Sequence, residues 1–309
     1  MSNFFINTSG DKVLELPELN LIGNFHEGLA LVNYSRYFLG FIDRSGELVI
    51  ETPFVEARNF SENLAVVKIQ EKGFYGQSKT SWGAIDKKGR IIFEEDFDKL
   101  YDFSESVATA EKDDEIFFVN KTGEKIFTLD KSKYGFDYNG TKNFSEGLVA
   151  IFDQKIGKFG FMNKEGEFVI EPKFVNAANF SDGLARVAIE KNNREYLGFI
   201  NTGGDYVIEP TFDIDCDFLR SSNDFSEELA SLIDAPLQMD KDPSFLFIDK
   251  KGSVVWRTEF FRAETFHEGL CAVCSQNGFY GYIDKSGQLA IPVKYYFASN
   301  FSEGLALVA

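Results

Sequence analysis

The 309-residue sequence contains only two histidines, three cysteines and two tryptophans. Two histidines and three cysteines are too few for a multi-histidine metal centre or a framework of disulfides. No apolar run approaches the roughly 18 residues that suggest a membrane-spanning helix, and the first dozen residues lack the basic start and apolar stretch of a secretory signal. We therefore expect a cytoplasmic chain that holds no metal and no cofactor.

Basic residues are also scarce relative to acidic ones. Lysine and arginine total 32, aspartate and glutamate total 49, and the formal net charge is −17. Such a charge repels nucleic-acid phosphates and anionic membrane surfaces, so we expect neither as a partner. The sequence also lacks the nucleophile-elbow, P-loop, zinc-protease and dinucleotide-binding motifs. The sequence therefore predicts a protein that is not an enzyme.

What the sequence does contain is internal repetition. The string F-[S/H]-[E/D]-x-[L/V]-A recurs eight times, with small variations, at spacings of 35 to 45 residues. We call its phenylalanine the anchor and number units 1 to 8 by the anchors Phe25, Phe60, Phe103, Phe144, Phe180, Phe225, Phe266 and Phe301. A second motif is an aromatic or apolar pair, then Asp or Asn, two residues and Gly. It ends at Gly10, Gly46, Gly89, Gly123, Gly166, Gly204, Gly252 and Gly287.

The two motifs are out of phase at the ends of the sequence. The sequence begins with a second motif, residues 5–10, and its last anchor, Phe301, has no second motif after it. An open solenoid would need polar caps at its ends. Ring closure explains the offset without caps, because the N-terminal strand then completes the last unit. We therefore predict a single repeat domain, 1–309, of eight units.

The residue pattern predicts three or four β-strands in each unit. One follows the anchor, as at 29–32, one carries the second motif, and one follows its glycine, as at 167–170. The Asp/Asn-x-x-Gly segment is typical of a tight turn. The strands are apolar at consecutive positions, which indicates that both faces are buried. The sequence predicts an all-β, closed, eight-bladed β-propeller-like ring of three- to four-stranded antiparallel units. A curved β-solenoid of hairpin repeats is the alternative.

The full repeat has a recognisable pattern, G-[F/Y]-I-D-x-x-G-x-x-V-I-x-P-x-[F/Y]-x-x-A-x-x-F-S-E-G-L-A-x-V, which residues 159–187 match almost throughout. This pattern resembles the bacterial WG β-repeat family. The dipeptide that names the family occurs once, as Trp82-Gly83, and elsewhere the tryptophan position holds residues such as Leu39 or Tyr280. The resemblance implies a repeat-built β protein and carries no catalytic residues.

Each anchor is followed two residues later by a carboxylate. These residues are Glu27, Glu62, Glu105, Glu146, Asp182, Glu227, Glu268 and Glu303. The eight could ring a channel and bind cations, but we favour a structural role in which each bonds local backbone N–H groups in its turn. His26 and His267 replace the anchor serine, and Cys271 and Cys274 occupy ordinary strand positions, so we predict no catalytic or metal-binding role for them. Buried free thiols would fit a reducing compartment.

The repeat is interrupted by insertions at 69–81, 128–142, 211–223 and 234–244. Loops on a rigid scaffold are where binding residues concentrate. The candidate partner-binding residues are the loop aromatics Phe74, Tyr75, Tyr134, Phe136 and Tyr138. Alternatively, these side chains pack over the edges of the units.

The favoured hypothesis is a monomeric, non-enzymatic scaffold that binds protein partners through these loops. One alternative is a carbohydrate-binding module that stacks sugars on Tyr134, Phe136 or Tyr138. Another is a hydrolase with paired carboxylates in a central cleft.

Overall fold

A computed structural model of the chain describes residues 3–16, 20–35, 38–72, 78–136, 142–214, 223–234 and 244–309. Its regular elements are all β-strands. Units 1 and 2 share a seven-stranded sheet of β3 (Asn20–His26), β4 (Leu29–Ser35), β5 (Phe38–Ile42), β6 (Leu48–Ser61), β7 (Leu64–Lys72), β8 (Ser78–Asp86) and β9 (Ile91–Glu95). Within the described ranges, no helix is long and apolar enough to cross a lipid bilayer.

The next three units each form a four-stranded sheet. Unit 3 consists of β10 (Lys99–Leu100), β11 (Val107–Lys112), β12 (Glu115–Asn120) and β13 (Lys125–Asp130). Unit 4 consists of β14 (Tyr134–Gly135), β15 (Val149–Asp153), β16 (Lys158–Met162) and β17 (Phe168–Phe174). Unit 5 consists of β18 (Asn176–Ser181), β19 (Leu184–Lys191), β20 (Arg194–Ile200) and β21 (Tyr206–Ile214).

The remaining sheets complete the set of eight units. Unit 6 consists of β22 (Leu229–Asp234), β23 (Ser244–Asp249) and β24 (Val254–Thr258). Unit 7 consists of β25 (Arg262–His267), β26 (Leu270–Cys274), β27 (Tyr280–Asp284) and β28 (Leu289–Tyr295). Unit 8 combines β29 (Leu305–Val308), β1 (Phe4–Asn7) and β2 (Lys12–Glu15), with β1 antiparallel to β29.

Strands within a four-stranded unit lie in chain order and are antiparallel, and we name their positions a to d. The a–b turns, which contain the anchor carboxylates, and the c–d turns, which contain the Asp/Asn-x-x-Gly motif, therefore lie at one edge of every sheet. We call this edge the turn face. The b–c connections and the links from one unit to the next lie at the opposite edge, which we call the loop face.

The anchors join each unit to the one before it. All eight anchor rings are at most 2% exposed. The anchor of unit 5, Phe180, lies 4.9 Å from Phe161 on the c strand of unit 4, measured between ring centroids. The same contact joins Phe5 of unit 8 to Phe25 of unit 1, at 4.8 Å. The contacts between neighbouring units thus include unit 8 with unit 1.

Burial differs between the strands of one unit. Every residue of β26, a b strand, is buried, as the consecutive apolar positions predict. The d strand β17 alternates instead, with Ile170 and Phe174 buried and Val169 49% exposed. The expectation that all strands bury both faces is therefore wrong for the d strands. In units 2 to 8 the d strand is the outer strand of its sheet, and one of its faces meets solvent.

Candidate functional site

The anchor turns carry the most regular set of polar contacts in the molecule. In unit 1, Glu27 and Gly28 have φ values of 54° and 86°, the left-handed pair that a tight two-residue hairpin turn requires. The carboxylate does not bond its own turn. In unit 3, for example, Glu105 accepts a hydrogen bond from the N–H of Gly147 in unit 4, with N···O distances of 3.0 and 3.1 Å. The local bonding expected from the sequence is therefore wrong, because the bond crosses to the next unit.

All eight carboxylates make this contact. The shortest N···O distances are 2.7 to 3.0 Å, and the pairs are Glu27–Asn63, Glu62–Ser106, Glu105–Gly147, Glu146–Gly183, Asp182–Glu228, Glu227–Gly269, Glu268–Gly304 and Glu303–Gly28. The last pair joins unit 8 to unit 1. We call this set the carboxylate cycle. Hydrogen bonds to a charged acceptor are worth more than neutral ones, so each turn fixes its neighbour.

Six of the eight carboxylates also pair with a cation from the c–d turn of the following unit. The pairs are Glu27–Lys87, Glu62–Lys121, Glu105–Lys164, Asp182–Lys250, Glu227–Lys285 and Glu303–Arg44, at 2.9 to 3.2 Å. At the two remaining positions the sequence supplies Thr202 and Thr8 instead of a cation. Protein groups therefore already occupy the carboxylates that a cation-binding channel would need.

Electrostatics at Glu62 shows how these groups act on each other. Partial burial raises the pKa of the Glu62 carboxyl, but the Lys121 ammonium and the N–H of Ser106 outweigh it, and the pKa is lowered overall. The same balance lowers the pKa of Glu227, through Lys285, and of Glu303, through Arg44. Among the residues that the structure describes, no three His, Cys, Asp or Glu side chains form a group that could hold a metal ion.

The residue after the anchor adds a second contact between units. In six units it is serine, whose hydroxyl donates to the carbonyl of the next anchor, as Ser145 does to Phe180 at 2.6 Å. His26 and His267 fill the other two positions. The imidazole of His267 instead lies 2.9 Å from the hydroxyl of Thr265 on the same strand, and burial lowers its pKa.

The Trp-Gly dipeptide has a structural role. Trp82 is 5% exposed, and its indole N–H donates to the carbonyl of Asp98 at 2.9 Å. A side chain at Gly83 would collide with the backbone carbonyl of Phe93 on the neighbouring d strand. The equivalent Gly160 would place a Cβ only 2.6 Å from the carbonyl oxygen of Ile170. The glycine therefore lets the c and d strands approach.

Two of the five candidate partner-binding aromatics lie within the described residues. Tyr134 and Phe136 are half-buried: the Tyr134 ring lies 6.1 Å from Phe168, and the Phe136 ring lies 6.4 Å from Phe118. Both pack over the edges of units 3 and 4, the alternative arrangement that the sequence left open. Phe74, Tyr75 and Tyr138 lie outside the described residues. Partner binding by the five aromatics remains a prediction.

Sequence reasoning overlooked a second group of aromatics on the loop face. Phe261, Tyr296 and Phe297 are 44%, 58% and 46% exposed. A comparison between units would have found them, because unit 5 begins with Val175 and Asn176 where unit 8 has Tyr296 and Phe297. Large aromatics at positions where the repeat does not require them point to a role outside the fold.

A family model for the WG containing repeat matches residues 4–34, 40–72, 82–115, 159–192, 198–214 and 280–309. These stretches make up more than half of the chain. The unmatched parts include the c strands of units 3 and 6, where Phe117 and Leu246 replace the glycine of the dipeptide.

Solved structures share the fold at low identity. BamB from Moraxella catarrhalis is 9% identical, with a TM-score of 0.55 over 98% of this chain and 97% of that chain. A eukaryotic initiation factor is 12% identical, with a TM-score of 0.61 over 96% of this chain and 86% of that chain. These likenesses confirm the predicted all-β, propeller-like architecture and nothing about activity. No curated protein sequence matched the chain.

Proposed function

Because the chain belongs to the WG β-repeat family and has a β-propeller-like fold, we propose that it is a non-enzymatic scaffold that binds protein partners through its loop face. The proposal rests on how differently the two faces of the molecule are built. Repeated contacts link the units at one face, and the described ends of the four insertions lie at the other.

The turn face is rigidly connected. Its anchor turns are linked by the carboxylate cycle, and its c–d turns pack on the preceding unit. A Cβ at Gly166 would lie 3.1 Å from the ring of Phe127, and one at Gly204 would lie 3.2 Å from Ile170. The eight motif carboxylates are engaged in these contacts, which supports a structural rather than a catalytic role for them.

The described ends of all four insertions lie at the loop face, and this observation carries the proposal. The insertions at 69–81 and 234–244 join b to c strands, and those at 128–142 and 211–223 join one unit to the next. Both kinds of connection lie at the same edge of the sheets. Loops that differ in length between the units and lie on one side of a scaffold are a common arrangement for a binding surface.

The setting of the two described cysteines is consistent with the compartment expected from the sequence. Cys271 and Cys274 are buried and free, and burial raises the pKa of the Cys271 thiol. A raised pKa keeps the thiol protonated and unreactive. We propose a monomer in a reducing, cytoplasmic compartment.

The test compares the predicted binding aromatics Phe74 and Tyr75 with Tyr134 and Phe136, whose rings pack on neighbouring strands. The double substitution Phe74→Ser/Tyr75→Ser should abolish capture of partner proteins from lysate while leaving the melting temperature unchanged. The control, Tyr134→Ser/Phe136→Ser, should lower the melting temperature because it removes rings that pack on Phe168 and Phe118. Unchanged capture by the first variant would remove that loop from the binding surface. Binding to a glycan array without protein capture would favour the carbohydrate-binding alternative.

A further inference from the structure

Four aromatic residues lie on the loop face of units 7 and 8, and we call Phe261, Phe279, Tyr296 and Phe297 the seam patch. The rings of Phe279 and Tyr296 lie 5.0 Å apart. The N–H of Phe261 donates to the carbonyl of Cys274 at 2.8 Å, at the end of the strand whose hairpin leads to Phe279. Phe297 follows Tyr296 directly. Three of these four side chains are more than two-fifths exposed.

A groove continues from the seam patch between unit 7 and unit 8. Its volume is about 770 Å³, and its lining includes Phe4, Lys12, Lys294, Tyr295 and Tyr296. The rings of Phe4 and Tyr295 meet at 6.2 Å, edge to face. Tyr296 belongs to both the groove and the patch, so the two adjoin at this residue.

Cations border this surface. The ammonium of Lys12 lies 4.6 Å from the centre of the Phe4 ring, and that of Lys294 lies 5.1 Å from the Tyr295 ring. Lys12 also pairs with Glu15, whereas exposed Lys294 pairs with no carboxylate in the described part of the chain. Asp11 is the acidic side chain in the groove, and it accepts a hydrogen bond from Asn7. The net charge of −17 opposes acidic partners at long range. The attraction for an incoming carboxylate is therefore local, and it comes from the Lys294 ammonium, which has no carboxylate partner within the described ranges.

The equivalent surface between units 4 and 5 shows that the fold does not require these aromatics. Lys173 occupies the repeat position of Lys294, and its ammonium likewise lies over a ring, 5.2 Å from Phe174. Val175 and Asn176 then stand where the other surface has Tyr296 and Phe297, and both are half-buried. The basic residue is therefore part of the repeat, and the aromatics are an addition to it.

We propose that the seam patch and its groove dock an acidic segment of a protein partner, with aromatic or aliphatic side chains on the patch and a carboxylate at Lys294. The proposal rests on the proposed function and assigns the surface and the chemistry of the partner. Exposed aromatic side chains are often among the residues that contribute most binding energy at protein interfaces. The lysine adds selection for negative charge and a dependence on ionic strength.

The experiment measures fluorescence anisotropy of the full chain with three labelled peptides of equal length. One alternates Glu with Phe and Leu, one replaces each Glu by Lys, and one replaces each Phe and Leu by Ser. We expect the acidic aromatic peptide to bind at least about tenfold more tightly than the other two, equivalent to about 1.4 kcal/mol.

Two variants and one matched control locate the site. Tyr296→Val/Phe297→Asn copies residues that the start of unit 5 already accommodates, so the melting temperature should stay unchanged while binding weakens at least tenfold. Lys294→Glu should weaken binding similarly. Lys173→Glu, the same substitution at the same repeat position in unit 4, should leave it unchanged.

Three results would overturn the assignment. The first is no preference for the acidic aromatic peptide, and the second is that Tyr296→Val/Phe297→Asn binds this peptide as tightly as the unchanged protein does. The third is that Lys294→Glu and Lys173→Glu change the peptide affinity equally. Loss of capture in Phe74→Ser/Tyr75→Ser with any of these results would leave the proposed function standing and remove only the seam patch. Binding of an oligosaccharide in place of the peptides would contradict the proposal.

Discussion

Units 3 and 4 are adjacent sheets with the same four-stranded order, yet their c and d strands pair differently. In unit 4 the register shifts twice, on both sides of Phe161. In unit 3 it shifts once, between Phe118 and Val119. The glycine position of the dipeptide holds Gly160 in unit 4 and Phe117 in unit 3. Phe117 is 3% exposed and packs in one cluster with Trp82.

Proline distinguishes the two pairing patterns. The d strand of unit 4 contains Pro172, and units 1, 5 and 7 likewise combine two register shifts with a proline in the d strand. Unit 2 keeps its glycine, Gly83, but has no such proline, and its register shifts once. Proline cannot donate a ladder hydrogen bond and is accommodated at bulges. The second bulge therefore occurs in the units that have the proline, and the glycine allows the c and d strands to approach closely.

The largest expected change in the free energy of unfolding is in unit 3, where the ring of Phe117 stands at the glycine position. Phe117→Ala should destabilise the protein by about 4 kcal/mol, because it leaves a cavity in the cluster that contains Trp82. Chemical denaturation measures the change. A loss below about 1 kcal/mol would mean that unit 3 does not depend on the ring that replaced its glycine.

A smaller loss is expected in unit 4. Gly160→Ala places a Cβ 2.6 Å from the carbonyl oxygen of Ile170, so the strands must separate, at a cost of about 2 kcal/mol. The control is Gly135→Ala on the a strand of the same unit, where the new Cβ meets only the flexible end of Gln154 at 3.3 Å. We expect the control to change stability by less than about 0.5 kcal/mol. Equal effects of the two substitutions in thermal melts would contradict the close-approach explanation.

The third prediction is a gain in stability. Ser106 in unit 3 has a φ of 68°, at the position that Gly147 occupies in unit 4 with a φ of 81°. Ser106→Gly keeps the backbone N–H that donates a hydrogen bond to Glu62. It also removes the steric cost of a Cβ in the left-handed region. The expected gain is up to about 1 kcal/mol, partly offset by the freedom of glycine in the unfolded chain. A lower denaturation midpoint would show that the serine side chain has a separate role.

The smallest effect is the pH dependence of the contact between Glu62 and unit 3. Because the pKa of folded Glu62 is lowered, its contribution is present above the ordinary value of 4.5 and is lost as pH falls through the lowered value. Glu62→Gln should flatten this part of the stability profile, and Lys121→Met should do the same by removing the ammonium. An unchanged profile below pH 4.5 in both variants would contradict the contribution of this ion pair.

Residue types predicted local backbone geometry well. Asn63 stands at the glycine position of its anchor turn, which is typical of a positive φ, and its φ is 68°. Ser106 and Glu228 at the same position are not residues that favour a positive φ, yet both adopt the same left-handed conformation, at 68° and 77°. Each has its N–H bound by a carboxylate of the preceding unit, and one repeat read alone does not contain that partner.

The same limit applies to the candidate site. The sequence identified the anchor carboxylates but assigned them to their own turns, since a repeat pattern does not specify which atoms of two neighbouring units touch. It also marked Tyr134 and Phe136 as loop aromatics. Their half-buried state depends on Phe168 and Phe118, which lie on different sheets, and only the fold brings these rings together.

The carboxylate cycle has a consequence for the order in which the molecule assembles. Seven of its contacts join residues 36 to 46 positions apart, whereas Glu303 and Gly28 are 275 positions apart. Closing the longer loop costs about 1.7 kcal/mol more in chain entropy. The eight contacts of the carboxylate cycle are nearly identical in geometry but should form at different stages of folding. We expect the contact between units 8 and 1 to form last during folding and to break first under strain.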